Sequence, residues 1–70
     1  MADLRIVFGR RVRQLRDARK MSQEELAHRA DIHVTYVSGI ENGKRNPGLL
    51  VIGRLARALN VTIQELFSGR

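Results

Sequence analysis

The sequence predicts a single, compact all-α domain built from five short helices. Apolar residues recur at spacings of three and four along most of the chain, which is the period of an amphipathic helix, and no segment is convincing as a strand. Capping residues, glycines and one proline divide this pattern into five pieces. Seventy residues form one domain, taken here as residues 1–70, and self-association would help to stabilise so small a core.

The first helix is predicted over residues 4–19. Its apolar stripe, with spacings of four, four and three, consists of Leu4, Phe8, Val12 and Leu15. Arginines dominate the remaining positions, and most of them are expected to form a solvated face. Residues 1–3 are expected to be frayed.

A second helix is predicted to begin at Ser22, because Ser22 and Glu25 have the spacing of a capping box. Its apolar face consists of Leu26, Ala27 and Ala30. Asp31 follows where a left-handed residue is usually needed, and aspartate tolerates that conformation. Ile32 is expected to fill the angle between this helix and the next.

The third helix is predicted from about His33 or Val34 to Asn42, and its two faces differ. The inner face carries Tyr36, Val37 and Ile40, whereas the outer face carries the short side chains of Thr35, Ser38, Gly39 and Asn42. Glycine destabilises a helix interior by about 1 kcal/mol relative to alanine. Its presence on the outer face therefore suggests that another surface approaches this helix closely.

The last two helices follow a basic loop at residues 44–47. Pro47 is expected at the first position of the fourth helix, with Asn46 as its cap. That helix continues to residue 59 and is expected to bury Leu49, Ile52, Leu55, Ala56 and Leu59. Thr62 and Glu65 form a second potential capping box, which begins the last helix.

Charge indicates the kind of partner. The formal net charge is +6 and the isoelectric point about 11.4, which favours a polyanion, DNA or RNA before an acidic membrane. The longest apolar runs are far too short to span a bilayer, and no secretory signal is visible. The absence of cysteine excludes disulfides and thiolate metal sites. We expect no membrane partner and a cytoplasmic location.

No constellation typical of an enzyme is present. The two histidines, His28 and His33, have no third ligand at a suitable spacing, so neither a metal nor a cofactor is expected. The segment 39–44 has one residue too few between its glycines for a phosphate-binding loop, and no serine or threonine follows its lysine. Ser22 and Ser38 are better explained as a cap and a helix-surface residue than as nucleophiles.

The chain resembles the helix-turn-helix family of phage repressor and Cro proteins, also called the Xre family, from about residue 6 to residue 67. The segments that carry the resemblance are Phe8-Gly9, Leu15-Arg16, Ser22-Gln23-Glu24-Glu25-Leu26-Ala27, Val37-Ser38-Gly39-Ile40-Glu41, Arg45-Asn46-Pro47 and Glu65-Leu66-Phe67. The run 35–41 together with 45–47 is also similar to controller proteins of restriction–modification systems. The resemblance implies a lambda-repressor-like five-helix domain with its helix-turn-helix at about 22–42.

The resemblance also implies roles for particular residues, with the third helix in the DNA major groove. The expected base-contacting residues are Val34, Thr35, Tyr36 and Ser38, and the expected phosphate-contacting residues are Gln23, His33, Asn42, Lys44, Arg45 and Asn46. Tyr36 is equally well interpreted as a core residue, and His33 as merely exposed. Controller-like proteins often have arginine where this chain has Val34. Arg16 and Glu41 correspond to the internal ion pair of the family.

Two copies reading a palindrome would multiply specificity, so a homodimer is expected. Its interface is expected within a dimerisation part at about residues 49–70. The residues expected at this interface are Leu50, Val51, Ile63 and Phe67. A rival hypothesis is a helical protein-interaction module, similar to small antitoxins and coactivators, that binds a toxin, a sigma factor or RNA polymerase. Salt separates the two hypotheses, because binding through several phosphates weakens steeply as salt rises.

Overall fold

The computed structural model describes residues 3–68, which form five α-helices and no strand. The predicted all-α architecture is therefore confirmed. The helices are α1 (Leu4–Ala18), α2 (Gln23–Ala30), α3 (Val34–Glu41), α4 (Leu49–Leu59) and α5 (Ile63–Leu66). Helix α3 packs against α1 and α2, and α4 packs against α2 and α5.

One apolar core joins all five helices. Its most deeply buried side chains are Val12, Leu26, Val37, Ile40, Leu55, Leu59 and Leu66. The small residues Ala27 and Ala30 are also buried, as predicted from their place on the apolar face of α2. Because α3 contributes both Val37 and Ile40 to this core, the opposite side of α3 is left facing outward.

Helix α1 begins at Leu4, as predicted, but its first turn is held by a cap that was not predicted. Asp3 is its N-cap, and the carboxylate accepts hydrogen bonds from the backbone N–H of Arg5 at 2.9 Å and from Arg5 Nη2 at 2.7 Å. The expectation of fraying is therefore wrong for Asp3, while residues 1 and 2 lie outside the described residues. Leu4 belongs to the apolar stripe but is 65% exposed, since it lines an open groove beside Pro47 and Phe67.

Gly9 brings the backbones of α1 and α3 into contact. A Cβ atom built on Gly9 would lie 2.1 Å from the carbonyl oxygen of Ile40 and 3.0 Å from that of Glu41. Any side chain at position 9 would therefore push the two helices apart. This contact fixes the C-terminal half of α3 against α1.

The turn between α2 and α3 has the predicted chemistry. Asp31 adopts the left-handed conformation at φ 56° and ψ 48°, and Ile32 donates its backbone N–H to the carbonyl of Ala27 at 3.0 Å. This pair of features is typical of a Schellman ending. Ile32 packs partly buried against the core, as expected.

The two predicted capping boxes differ in the structure. At α5, Thr62 and Glu65 form both reciprocal hydrogen bonds, so this prediction is confirmed. At α2, the Ser22 hydroxyl accepts from the backbone N–H of Glu25 at 3.0 Å, but the Glu25 carboxylate pairs with Arg29 at 2.6 Å. The box at α2 is therefore only half formed, because an ion pair one turn further along engages the glutamate.

The start of α4 differs from the prediction. The helix begins at Leu49 with Gly48 as its N-cap, and Pro47 precedes it in the loop. Asn46 consequently does not cap this helix. Leu49 is 79% exposed rather than buried, because the first turn of α4 lies at the edge of the domain. Ile52 is only partly buried, so the buried core stripe of α4 consists of Leu55, Ala56 and Leu59.

Candidate nucleic-acid interface

The outer face of α3 is open to solvent. Thr35 is exposed, Ser38 and Gly39 are partly exposed, and no described helix covers them. Val37 and Ile40, on the opposite side, are buried. The structure thus presents a short, polar helix face on a rigid support, which is the geometry that close approach to a DNA groove requires.

Val34 and Tyr36 lie at the margins of this face. Both are partly buried and pack against the core. Tyr36 packs on the core, as one interpretation expected, yet keeps part of its surface exposed, so contact with DNA stays a prediction. Val34 similarly offers only part of its apolar surface to a partner.

His33 caps α3 with its ring. Its Nδ1 atom accepts the backbone N–H of Thr35 at 3.3 Å and lies 2.9 Å from the Thr35 hydroxyl oxygen. The sequence predicted a phosphate contact or plain exposure for His33, and the direct link to Thr35 was missed, since histidine is not a preferred cap.

Three residues with expected phosphate roles, Lys44, Arg45 and Asn46, are exposed on the loop after α3. The loop turns at Gly43, whose φ of 73° is left-handed. The Lys44 backbone N–H then donates to the carbonyl of Gly39 at 2.9 Å. This hydrogen bond ties the basic loop to the end of α3, so the exposed cations stay beside the outer face.

Arg45 makes two further contacts that the sequence did not predict. Its guanidinium carbon lies 5.6 Å from the centre of the Tyr36 ring. A Cβ on Gly39 would lie 2.7 Å from Arg45 Cγ. Arg45 therefore lies against α3. Gly43 signals the turn, but the path of the Arg45 side chain across α3 has no signal in the sequence.

Arg16 and Glu41 lie together, as the family resemblance implied. Arg16 donates from Nε and Nη2 to the two carboxylate oxygens at 2.6 and 3.0 Å, and from Nη1 to the carbonyl of Met21 at 2.7 Å. The Glu41 side chain is only 2% exposed. Hydrogen bonding to Glu41 is the main cause that raises the pKa of Arg16. Both charges are thus held inside the domain.

Gln23 joins this ion pair. Its Nε2 donates to Glu41 Oε1 at 3.0 Å, so one of the two amide N–H bonds points into the protein. Helices α1, α2 and α3 therefore meet at one carboxylate. The position of Gln23 at the start of α2 still leaves its second N–H bond and the backbone N–H groups of the helix terminus as potential donors to an anion.

Asn42 ends α3 and is exposed. Its Nδ2 lies 3.5 Å from the Ser38 hydroxyl, at the outer limit of a hydrogen bond. The amide of Asn42 and the hydroxyl of Ser38 consequently form one polar edge of the outer face.

The expected dimer residues lie on two separate surfaces. Leu50 is 78% exposed and lines a groove of about 310 Å³ with Leu49, Gly53, Arg54 and Arg57. Phe67 lines a different groove of about 320 Å³ with Leu4, Pro47 and Ile52, and its ring lies 5.0 Å from that of Phe8. Ile63 is also exposed, and Val51 is partly buried. Leu49, exposed beside Leu50, was missed because helical periodicity assigned it to the core.

Residues 3–68 contain neither a cluster of metal ligands nor a membrane-spanning helix. No group of three or more histidine, aspartate or glutamate side chains lies close enough together to hold a metal ion. No helix in this part of the chain has the length and hydropathy needed to cross a membrane.

An open polar helix behind a tight turn, followed by a basic loop, defines the helix-turn-helix class of DNA-binding transcription regulators. A model of the helix-turn-helix family matches residues 12–66, and the chain belongs to that family.

Two control proteins and one solved controller structure resemble this chain over nearly its whole length. Control protein C.MunI of Mycoplasma sp is 42% identical over 69 residues, which cover 97% of this chain and 93% of the relative. Control protein C.BamHI of Bacillus amyloliquefaciens is 45% identical over 65 residues, covering 91% and 80%. The crystal structure of the restriction-modification controller protein C.AhdI from Aeromonas hydrophila aligns with a TM-score of 0.89 and 44% identity, over 90% of this chain and 96% of that one.

Proposed function

We propose that the protein is a restriction–modification controller that binds a palindromic DNA operator as a homodimer and thereby regulates transcription. The observation that carries this proposal is the open polar face of α3, which the core holds rigidly and the basic loop flanks. The similarity to control proteins supports the link to restriction–modification. The proposed site of action is the cytoplasm, and the proposed role is regulatory, not catalytic.

In this proposal α3 enters the major groove, and Thr35 and Ser38 are the hydroxyl-bearing residues that contact base edges. Val34 offers an apolar contact to the methyl group of thymine, and Tyr36 lies at the rim of the surface that contacts DNA. The short side chains on this face support the proposal, since they let the helix backbone approach the bases closely.

Phosphate contacts are assigned to both sides of the groove. Gln23 and the N-terminus of α2 form one clamp, with His33 close by. The other clamp consists of Asn42, Lys44, Arg45 and Asn46. The exposure of the second set supports its role. The free N–H bond of Gln23 supports the first, because the other N–H is already directed to Glu41.

The homodimer is assigned to the C-terminal part of the chain, at residues 49–70. Leu50 and Leu49 on α4 offer the most exposed apolar side chains. Val51, Ile63 and Phe67 are also assigned to the interface, Phe67 from its separate groove. A two-fold dimer of this kind would present its two α3 helices about 34–36 Å apart, the spacing of successive major grooves.

The decisive experiment is selection of bound fragments from random DNA duplexes by the purified protein. We expect enrichment of a palindrome with half-site centres about 10 base pairs apart. Recovery of unrelated sequences, or of no duplex at low salt, would contradict the proposal. The selected duplex should then lose affinity steeply with salt, because several phosphate contacts release counterions.

A second candidate function is a protein-interaction module that binds a toxin or RNA polymerase. The two exposed apolar grooves favour it. A mainly apolar partner contact would respond weakly to salt, in contrast to operator binding. Titration of the selected duplex from low to high salt therefore discriminates the two functions.

A further inference from the structure

The Arg45 side chain follows a defined path across the outer face of α3. Besides Cγ at 2.7 Å, its Nε and Cδ would lie 3.2 and 3.5 Å from a Cβ built on Gly39. The aliphatic part of the side chain thus crosses the one position of α3 that has no side chain. Beyond Gly39, the guanidinium reaches the Tyr36 ring, with 5.6 Å between its central carbon and the ring centre.

We propose that Tyr36 and Gly39 form a seat for Arg45, and that both are positioning residues that fix its guanidinium beside the base-reading face before DNA binds. This inference rests on the proposed function, in which Arg45 contacts the DNA backbone. A free arginine side chain has many rotamers, and ordering them upon binding reduces affinity. A cation held over an aromatic face and in a backbone groove is ordered in advance.

A comparison within the same loop supports the seat. Lys44 is exposed next to Arg45, yet among the described residues its side chain has no ion pair, side-chain hydrogen bond or ring contact. The two adjacent cationic side chains therefore differ in their contacts, and only that of Arg45 packs against α3. An arginine also suits this place chemically, because its planar guanidinium stacks on an aromatic ring and still presents donors in that plane.

The seat explains why position 39 is a glycine, and this explanation competes with the one predicted from the sequence. Close approach of DNA alone would also require a residue without a side chain on the outer face of α3. Under the seat hypothesis, a methyl group at position 39 displaces Arg45. Under the rival hypothesis, it collides with the duplex whether or not Arg45 is present.

The first test uses the free protein and needs no DNA. The ring of Tyr36 should shift the side-chain proton resonances of Arg45 away from their random-coil positions. Tyr36→Phe should keep this shift, Tyr36→Leu should abolish it, and Gly39→Ala should reduce it. Random-coil positions for Arg45 in the unsubstituted protein would overturn the seat, whatever the protein does with DNA.

The second test is a pair of double-mutant cycles on the selected duplex, read by fluorescence anisotropy. Tyr36→Leu and Gly39→Ala should each weaken binding about two- to five-fold when Arg45 is present, which is the range for an exposed cation–aromatic contact. In an Arg45→Ala background both losses should be smaller. Tyr36→Phe keeps the ring, so Arg45→Ala should cost a Tyr36→Phe protein as much affinity as it costs the unsubstituted protein.

The folding of each variant also has to be checked. Gly39→Ala offers a clear check, because its stability and its DNA affinity should change in opposite directions. Alanine is the better helix former, so this variant should unfold at a higher temperature while it binds DNA less well. If Tyr36→Leu and Gly39→Ala weakened DNA binding as much in the Arg45→Ala background as in the unsubstituted protein, the seat would be overturned. Gly39 and Tyr36 would then be assigned to direct DNA contact. If the unsubstituted protein binds no duplex, the proposed function fails, and the resonance shift alone decides on the seat.

Discussion

Arg16 and Glu41 form a two-pronged ion pair inside the domain, with donor–acceptor distances of 2.6 and 3.0 Å and a carboxylate that is nearly inaccessible to solvent. Because Gln23 donates to the same carboxylate, this pair joins the helix that is proposed to read bases to the two helices that support it. The pair is thus a feature of stability and orientation, and its contribution can be measured without DNA.

Arg16→Met should lower the free energy of unfolding by about 3–5 kcal/mol, because it leaves a buried carboxylate without its cation. Arg13→Met is the matched control, since Arg13 pairs with Asp17 at 3.7 Å on the exposed side of the same helix. That change should alter stability by about 1 kcal/mol or less. Chemical denaturation measures both, and equal effects would show that the buried pair is no stronger than a surface pair.

Gly9→Ala and Gly53→Ala should change stability in opposite directions. Both replace glycine within a helix, which by propensity alone gains about 1 kcal/mol. At Gly9 the new Cβ meets the Ile40 carbonyl oxygen at 2.1 Å, so overpacking should produce a net loss of about 1–3 kcal/mol. At Gly53 nothing lies within 4 Å, and the gain should be realised. Thermal unfolding of both variants gives the comparison, and stabilisation by Gly9→Ala would contradict the close approach of α1 and α3.

Local patterns predicted most of this fold, because most of its determinants are local. The apolar spacing of Val12 and Leu15, the left-handed Asp31 and the Thr62–Glu65 box all depend on residues within one or two turns of each other. The misplaced start of α4 shows the limit. Periodicity assigned Leu49 to the core stripe, but whether a neighbour covers it is decided by tertiary packing.

The candidate site likewise combines features with local determinants, which could be predicted, and features decided by tertiary packing, which could not. The exposed polar face of α3 could be predicted, since it follows from the phase of Val37 and Ile40 alone. The contact of Arg45 with Tyr36 could not be predicted, because it depends on the path of the loop. The separation of Leu50 and Phe67 into two grooves could not be predicted either, because it depends on how α5 packs.

Asp3 should make stability depend on pH at the acid end. Hydrogen bonds from the Arg5 side chain, and then from its backbone N–H, lower the pKa of Asp3 from 3.8 to about 2. A carboxyl group whose pKa is lower in the folded state stabilises the fold above pH 3.8, and this stabilisation is lost as the pH falls toward 2.

NMR titration of the Asp3 carboxyl carbon measures this pKa directly. Arg5→Gln should raise the pKa back toward 3.8, because it removes the guanidinium whose hydrogen bonds are the main cause of the lowering. Asp3→Asn should keep a capping side chain while removing the acid-dependent part of the stability. A titration near 3.8 in the unsubstituted protein would contradict the observed cap geometry.

Leu50→Lys should convert the proposed homodimer to a monomer. A positive charge placed in an apolar interface must be desolvated, and Arg54 and Arg57, which line the same groove, offer it no counter-ion. Leu4→Lys is the comparison, since Leu4 is also an exposed leucine but lines the separate groove of Phe67. Sedimentation equilibrium distinguishes the two, and a dimer that survives Leu50→Lys but not Leu4→Lys would move the interface to the groove of Phe67.

Substitutions on α3 and on the loop should separate base preference from general affinity. Thr35→Val and Ser38→Ala each remove one hydroxyl from the proposed reading face, so discrimination between the selected duplex and its single-base variants should fall by about 1 kcal/mol at one position. Arg45→Ala should instead weaken binding to all duplexes alike and reduce the slope of log affinity against log salt by about 0.9. Anisotropy titrations over a range of salt concentrations measure both quantities. If all three variants lost the same affinity with base preference intact, Thr35 and Ser38 would be backbone contacts, and α3 would not be the element that reads the sequence.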